Sequence, residues 1–229
     1  MEYLKQISPI PITLDFFDRA PLDVAQALLG KVIAFRDKQQ WLLARIIEAE
    51  AYYRHDKASH SSLGFTQKRK ALFMSPGTIY MYYARGGDSL NFSCRGEGNA
   101  VLIKSAYPFT CQVAGVDSLK SMQKNNPNRD GTSRPIAKLC AGQTLLCKSL
   151  NLKVPDWDAQ QLKPHHFELW DDSYSPEQVI QTTRLGIPQD RDAHLPYRFI
   201  DMSFADYCTK NPLRVRNFQM GRDYTILSP

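Results

Sequence analysis

Residues 48–60 read EAEAYYRHDKASH, directly after the apolar run WLLARII at 41–47. If the stretch continues a strand, its side chains alternate between two faces. Glu48, Glu50 and Tyr52 then share one face, and Ile47, Ala49 and Ala51 share the other. One side of a sheet would bury small apolar groups, and the opposite side would display two carboxylates and a ring.

The flanking sequence supplies the rest of a sheet. DFFDRAPLDVAQALLGKVIAF (15–35) reads as a helix followed by a strand. Asp18 or Pro21 opens the helix, Ala25, Leu28 and Leu29 form its apolar stripe, and Gly30 sits where a helix ends. On the other side, SPGTIYMYYA (75–84) is a turn and then a strand of β-formers. ARGGDS (84–89) is the next turn, LNFSC (90–94) the returning strand, RGEGN (95–99) a further turn and AVLIKSAY (100–107) the following strand. This is a meander of short antiparallel strands. Residues 114–150 look helical on both sides of the polar loop KNNPNRDGTSRP (124–135), and residues 151–175 are mixed. RLGIPQDRDAHLPYRFI (184–200) reads as loop and strand, and residues 1–12, with Pro9 and Pro11, as an irregular arm. No composition shift, internal repeat or low-complexity tract divides the chain. One α+β domain spanning residues 1–229 accounts for all of it.

Composition narrows the function classes. The chain carries 29 Lys and Arg against 23 Asp and Glu, a net charge of +6. Such a surface is either simply solvated or suited to a polyanion, whose neutralised phosphates release counterions. The five cysteines are Cys94, Cys111, Cys140, Cys147 and Cys208, without a CxxC pair. That disfavours a disulfide framework, a zinc ribbon or an iron–sulfur site. The N-terminus shows no charged leader before an apolar core, and no apolar run approaches the ~18 residues of a membrane span. The expectation is a reduced, soluble, intracellular protein without a membrane span.

Several residues have the chemistry for a site. Glu48 and Glu50 read either as surface acids balancing Arg45, Arg54 and Lys57 or as acid–base groups. A carboxylate partly desolvated by aromatic rings is suited to proton transfer and to stabilising a sugar cation. In YMYY (80–83), Tyr80 and Tyr82 share a face, as do Met81 and Tyr83. Such a stripe either packs a core or holds unstacked bases. QKRKALF (67–73) brings Lys68 and Arg69 to a helix start, exposed or seated on phosphates. Asn91 and Lys104 follow on later strands.

The order of these features resembles the alkyladenine DNA glycosylase family, the 3-methyladenine DNA glycosylases without a helix–hairpin–helix. The resemblance runs from FFDRAPLDVAQALLGKVI (16–33) to about LPYRF (195–199), through RIIEAEAY (45–52), FMSPGTIYMYY (73–83) and LCAGQTLLCKSL (139–150). It implies a curved antiparallel sheet flanked by helices, with a protruding β-hairpin that contacts DNA. Glu50 then matches the catalytic acid of the family's EAY triplet, which deprotonates a water for attack on deoxyribose C1′. Glu48 matches a position outside that role. Tyr52, His60 and Tyr82 match rings that sandwich a flipped base, and Asn91 the residue that crowds the amino group of normal guanine. A backbone carbonyl near Leu185 resembles the group that completes the water site.

The chain also departs from the family pattern. Lys104 stands where the family usually has Arg, keeping the charge without the planar fork. Arg85, with Tyr83 two residues earlier, aligns with the side chain that fills the gap left by the flipped base, often Tyr in the family. The hairpin ARGGDSLN is about one residue shorter than the family's. A tail of about residues 200–229, with the basic LRVRN (213–217), extends past the usual family end. The resemblance implies a monomeric, monofunctional enzyme, needing no metal or cofactor, that excises alkylated or deaminated purines from double-stranded DNA. Two alternatives stay open. One is a non-catalytic damaged-DNA-binding relative that lost turnover through Lys104 and Arg85. The other is a sugar glycoside hydrolase using Glu48 and Glu50 as its carboxylate pair.

Overall fold

The computed structural model describes residues 9–84, 86–115 and 117–228. In chain order the elements are β1 (Ile10–Pro11), α1 (Pro21–Leu28), β2 (Val32–Asp37), β3 (Gln40–Tyr52), β4 (Ile79–Ala84), β5 (Gly87–Ser93) and β6 (Ala100–Phe109). They continue with α2 (Ser118–Asn125), α3 (Gln143–Leu150), α4 (Val154–Trp157), β7 (Phe167–Asp171), β8 (Val179–Thr182), β9 (Arg198–Asp201) and β10 (Tyr224–Leu227). Short 3-10 helices lie at His60–Leu63, Gln67–Phe73 and Met202–Tyr207.

β3 is the spine of the architecture. It is long and buried along nearly its whole length. One edge pairs with β6 from Leu43 to Tyr52. The other edge is shared: β2 pairs with Gln40–Arg45, and β9 with Glu48–Glu50. Among the described residues the strands form a single ten-stranded sheet, with β1-β7-β2-β3-β6-β5-β4 as its main path and β9-β8-β10 branching from β3. All the named strand pairs are antiparallel. The expected α+β domain and its β4–β5–β6 meander are therefore present.

The helices cover one face. Val24, Ala25 and Leu28 of α1, Met122 of α2, Leu146, Cys147 and Leu150 of α3 and Trp157 of α4 join Ile46, Ala49 and Ala51 of β3 in one core cluster. α1 starts with Pro21 in its first turn, where the missing N–H has no intrahelical partner to lose. It stops before Gly30, whose φ is +87° and whose missing Cβ leaves room for the Tyr174 ring.

The structure differs from the sequence expectations in four places. Strict alternation put Ile47 on the core face, but Ile46 is the residue that joins Ala49 and Ala51 there. The cause is a register irregularity on both sides of Glu48, which shifts the phase of the pleat. Glu48 and Glu50, expected on a displayed face, are both fully buried. The turn expected over residues 84–89 is shorter, since pairing resumes at Gly87 opposite Ala84. At the N-terminal end, residues expected to be irregular join the sheet: Ile10 and Pro11 pair with Asp171 and Trp170. In the tail, β10 pairs with β8.

Candidate active site

The Tyr52 end of β3 meets a cavity of about 710 Å³ that is also lined by Gln143 and Thr144 at the start of α3. Its size falls in the range of small-ligand pockets. Tyr52, His60, Tyr82, Asn91 and Lys104, each singled out in the sequence, line this one cavity. The meander explains the convergence. β3, β6, β5 and β4 are neighbours, so residues far apart in the chain reach the same face.

Glu50 lies immediately behind the lining. Its carboxylate is 0% exposed and is held by three cavity-lining residues. Oε2 accepts a hydrogen bond from the Tyr52 hydroxyl at 2.6 Å. Oε1 accepts from the Leu185 amide at 3.1 Å and lies 3.2 Å from the Lys104 ammonium. A buried carboxylate needs such partners to remain charged. Leu185 contributes its backbone N–H to the carboxylate. Burial first, and then the Glu50 charge, push the Tyr52 phenol well above its ordinary value, so it remains a donor.

Aromatic rings form two groups. The Arg184 guanidinium sits 4.6 Å from the Tyr52 ring centroid, is buried, and pairs with Asp56. The second group is His60, Tyr80 and Tyr82. Tyr80 and Tyr82 stack at 5.5 Å between centroids, and His60 meets Tyr82 edge-on at 4.5 Å. The His60 Nδ1 and the Tyr80 hydroxyl are 2.9 Å apart. Burial, followed by the Arg69 and Arg191 charges, lowers the His60 pKa from its ordinary value, favouring the neutral ring. Asn91 is buried, and its Nδ2 donates to the Tyr80 carbonyl at 3.0 Å, which fixes the amide against the cavity wall.

The remaining candidates lie outside the cavity lining. Lys68 is exposed, while Arg69 donates to the Leu63 and Gly64 carbonyls and fastens the segment carrying His60. Tyr83 is 65% exposed on the β4–β5 hairpin. Arg85 lies outside the described residues. Glu48 is not a partner of Glu50 either. It accepts from Arg198 Nε and the Ser105 hydroxyl, both at 2.6 Å, and from the Thr209 amide at 2.8 Å. Its oxygens are thus occupied by these donors, and Glu48 itself does not line the cavity, unlike the carboxylates of a glycosidase pair.

Sequence reasoning missed the roles of Arg184, Arg198, Thr209 and Lys210. Tyr80 was visible as the same-face neighbour of Tyr82, but nothing local marks the four others. Among the described residues, no group of three or more His, Cys, Asp or Glu side chains converges to hold a metal ion, and no helix is long and apolar enough to cross a membrane.

Comparison with known proteins places this arrangement. Residues 15–203 match the family model described as methylpurine-DNA glycosylase. The chain belongs to the methylpurine-DNA glycosylase family. A protein of Pseudomonas aeruginosa strain LESB58, named "Putative 3-methyladenine DNA glycosylase", is 58% identical over 219 residues, covering 96% of this chain and 90% of its own. A protein of the same name from Pseudomonas fluorescens strain Pf0-1 is also 58% identical over 219 residues, covering 96% of this chain and 94% of its own. One from Koribacter versatilis strain Ellin345 is 32% identical over 203 residues, covering 86% and 91%. The family match ends at residue 203, yet an alignment over 96% of the chain cannot omit the whole tail beyond it. Most of the tail is therefore common to this chain and its Pseudomonas relatives.

Proposed function

We propose that this member of the methylpurine-DNA glycosylase family flips alkylated or deaminated purines out of duplex DNA and hydrolyses their N-glycosidic bond. Glu50 acts as the base. One observation carries the reading: a buried carboxylate held by Tyr52, Lys104 and the Leu185 amide stands directly behind an aromatic-walled cavity.

A base inside a duplex cannot be attacked in place, so it is extruded into the cavity at a cost of a few kcal/mol. Tyr52 stacks on one of its faces, and His60 and Tyr82 on the other. A methylated purine that carries positive charge gains a cation–π contribution there. Asn91, fixed by its bond to the Tyr80 carbonyl, crowds the amino group of normal guanine.

Entry of the nucleotide displaces the Tyr52 hydroxyl from Glu50 and admits a water. Glu50 takes a proton from that water as its oxygen attacks C1′. The bond from C1′ to the base nitrogen breaks, and the base leaves with the bonding electron pair. The charge on Glu50 also favours the oxocarbenium-like transition state. Lys104 holds the carboxylate in place as a point charge. Outside the cavity, Lys68 and Arg69 face backbone phosphates, while Tyr83 and Arg85 of the hairpin occupy the space vacated by the base. The enzyme acts as a monomer on double-stranded DNA.

The test is a labelled duplex containing one hypoxanthine, run in parallel with methylated DNA and followed by alkali. Strand cleavage at the lesion that disappears in Glu50→Gln, with DNA binding retained, is the expected result. Absence of base release from both substrates with DNA binding intact would overturn the enzymatic reading and leave a damaged-DNA-binding protein.

A further inference from the structure

The family match stops at residue 203, but the cavity wall does not: Thr209 and Lys210 belong to it. After β9 the chain makes the 3-10 helix Met202–Tyr207, capped by the Asp201 side chain accepting from the Ser203 amide at 3.0 Å. Ala205 and Cys208 pack on Ile180 and Ile200, and the chain then crosses to the cavity.

A buried ion pair fastens it there. Glu48 accepts from the Thr209 amide at 2.8 Å, and Arg198 Nη2 donates to the Lys210 carbonyl at 2.6 Å. Glu48 and Arg198 are bonded to each other at 2.6 Å, and Ser105, bonded to Glu48, also meets the Thr209 hydroxyl at 2.9 Å. Consecutive tail residues are thus each gripped through the backbone by one half of the pair. Buried pairs add little stability over an apolar replacement, and their best-attested use is to specify one geometry. Here the specified geometry is the position of Lys210 at the cavity.

Lys210 is exposed, with its ammonium 5.7 Å from the Phe218 ring centroid. Among the described residues it has no carboxylate partner within salt-bridge distance. The other cationic residues of the lining are engaged: Lys104 with Glu50, and Arg191 with the Lys57 carbonyl. A nucleotide whose base enters the cavity brings its two covalently attached phosphates to the mouth, where they need a cation.

We propose that the tail forms a wall of the base pocket, that Lys210 binds a phosphate flanking the extruded nucleotide, and that Glu48 and Arg198 are positioning residues for that contact. This rests on the glycosylase reading for its substrate.

The test compares wild type with Lys210→Ala, Lys210→Arg and Glu48→Gln on the hypoxanthine duplex, under single-turnover conditions across a salt series. Lys210→Ala is expected to raise the half-saturating enzyme concentration about two- to fivefold. It should reduce the slope of log affinity against log salt by about 1 and leave the saturating rate near wild type. Lys210→Arg restores both. Glu48→Gln moves half-saturation and slope in the same direction as Lys210→Ala; a merely structural role would lower the melting temperature without changing the slope. Wild-type half-saturation and salt slope in Lys210→Ala overturn the proposal, whether or not Glu48→Gln folds. If the wild type releases no base, the glycosylase reading fails, and the same salt series measured as binding affinity still decides the Lys210 contact.

Discussion

Arg198→Met gives the most direct measure of what the buried pair does for the fold. Arg198 is 2% exposed and Glu48 0%, so solvent does not screen the pair. Methionine fills much of the same space without charge. The variant leaves the Glu48 carboxylate buried with the Ser105 hydroxyl and the Thr209 amide as its remaining donors. Breaking a buried pair at one partner costs about 3–5 kcal/mol. A domain of this size has a total stability of about 5–15 kcal/mol, so the loss is a large fraction of it. At roughly 2–4 °C per kcal/mol, the melting temperature falls by roughly 6–20 °C. The assay is guanidinium unfolding followed by tryptophan fluorescence and far-UV circular dichroism, with a thermal melt alongside. Arg198→Met/Glu48→Gln provides the control: it removes the stranded charge and should recover a large part of the loss. A single-variant loss below about 1 kcal/mol, or a double variant no better than the single, would refute the argument that an unpaired buried carboxylate sets the cost.

Further outcomes follow from the same geometry. His60 is held below its ordinary value of 6.5, so it is neutral at pH 7 and gains a proton only below that value. Binding of a cationic methylated purine should therefore weaken as pH falls through the lowered value, less so for neutral hypoxanthine. A pH series of half-saturation for wild type and His60→Gln checks this; the same acid limb in the variant would sink it. At Gly98, φ is +81° and an added Cβ would meet Ser61 Cβ at 2.9 Å and Arg54 Cβ at 3.0 Å. Gly98→Ala should lose about 1–3 kcal/mol in a denaturant melt and weaken base binding, because Ser61 sits beside His60 in the same 3-10 helix. All five cysteines are free and buried, and burial pushes the Cys140 and Cys208 thiols up to about 12. An aromatic disulfide reagent should find no reactive thiol in the native protein over minutes and all five in guanidinium.

Local pattern determined much of this protein. The alternation of IYMYYA put Tyr80 and Tyr82 on one face, and that face lines the cavity. The apolar stripe after Pro21 and the glycine at residue 30 marked α1. Turn residues separated the strands that became β4, β5 and β6. Such signals are readable because helix and strand periods fix which side chains share a face without reference to the rest of the chain. Tertiary structure decided what each charge does. EAEAY presents two similar carboxylates, and only the fold separates them. Glu48, flanked by register irregularities, meets Arg198, Ser105 and the tail, while Glu50 receives Lys104, Tyr52 and a backbone amide from residue 185. The Glu48–Arg198 partners lie 150 residues apart in sequence. No local period records such a pairing, because it depends on β9 docking beside β3 in one register, and a one-residue slip would exchange the faces.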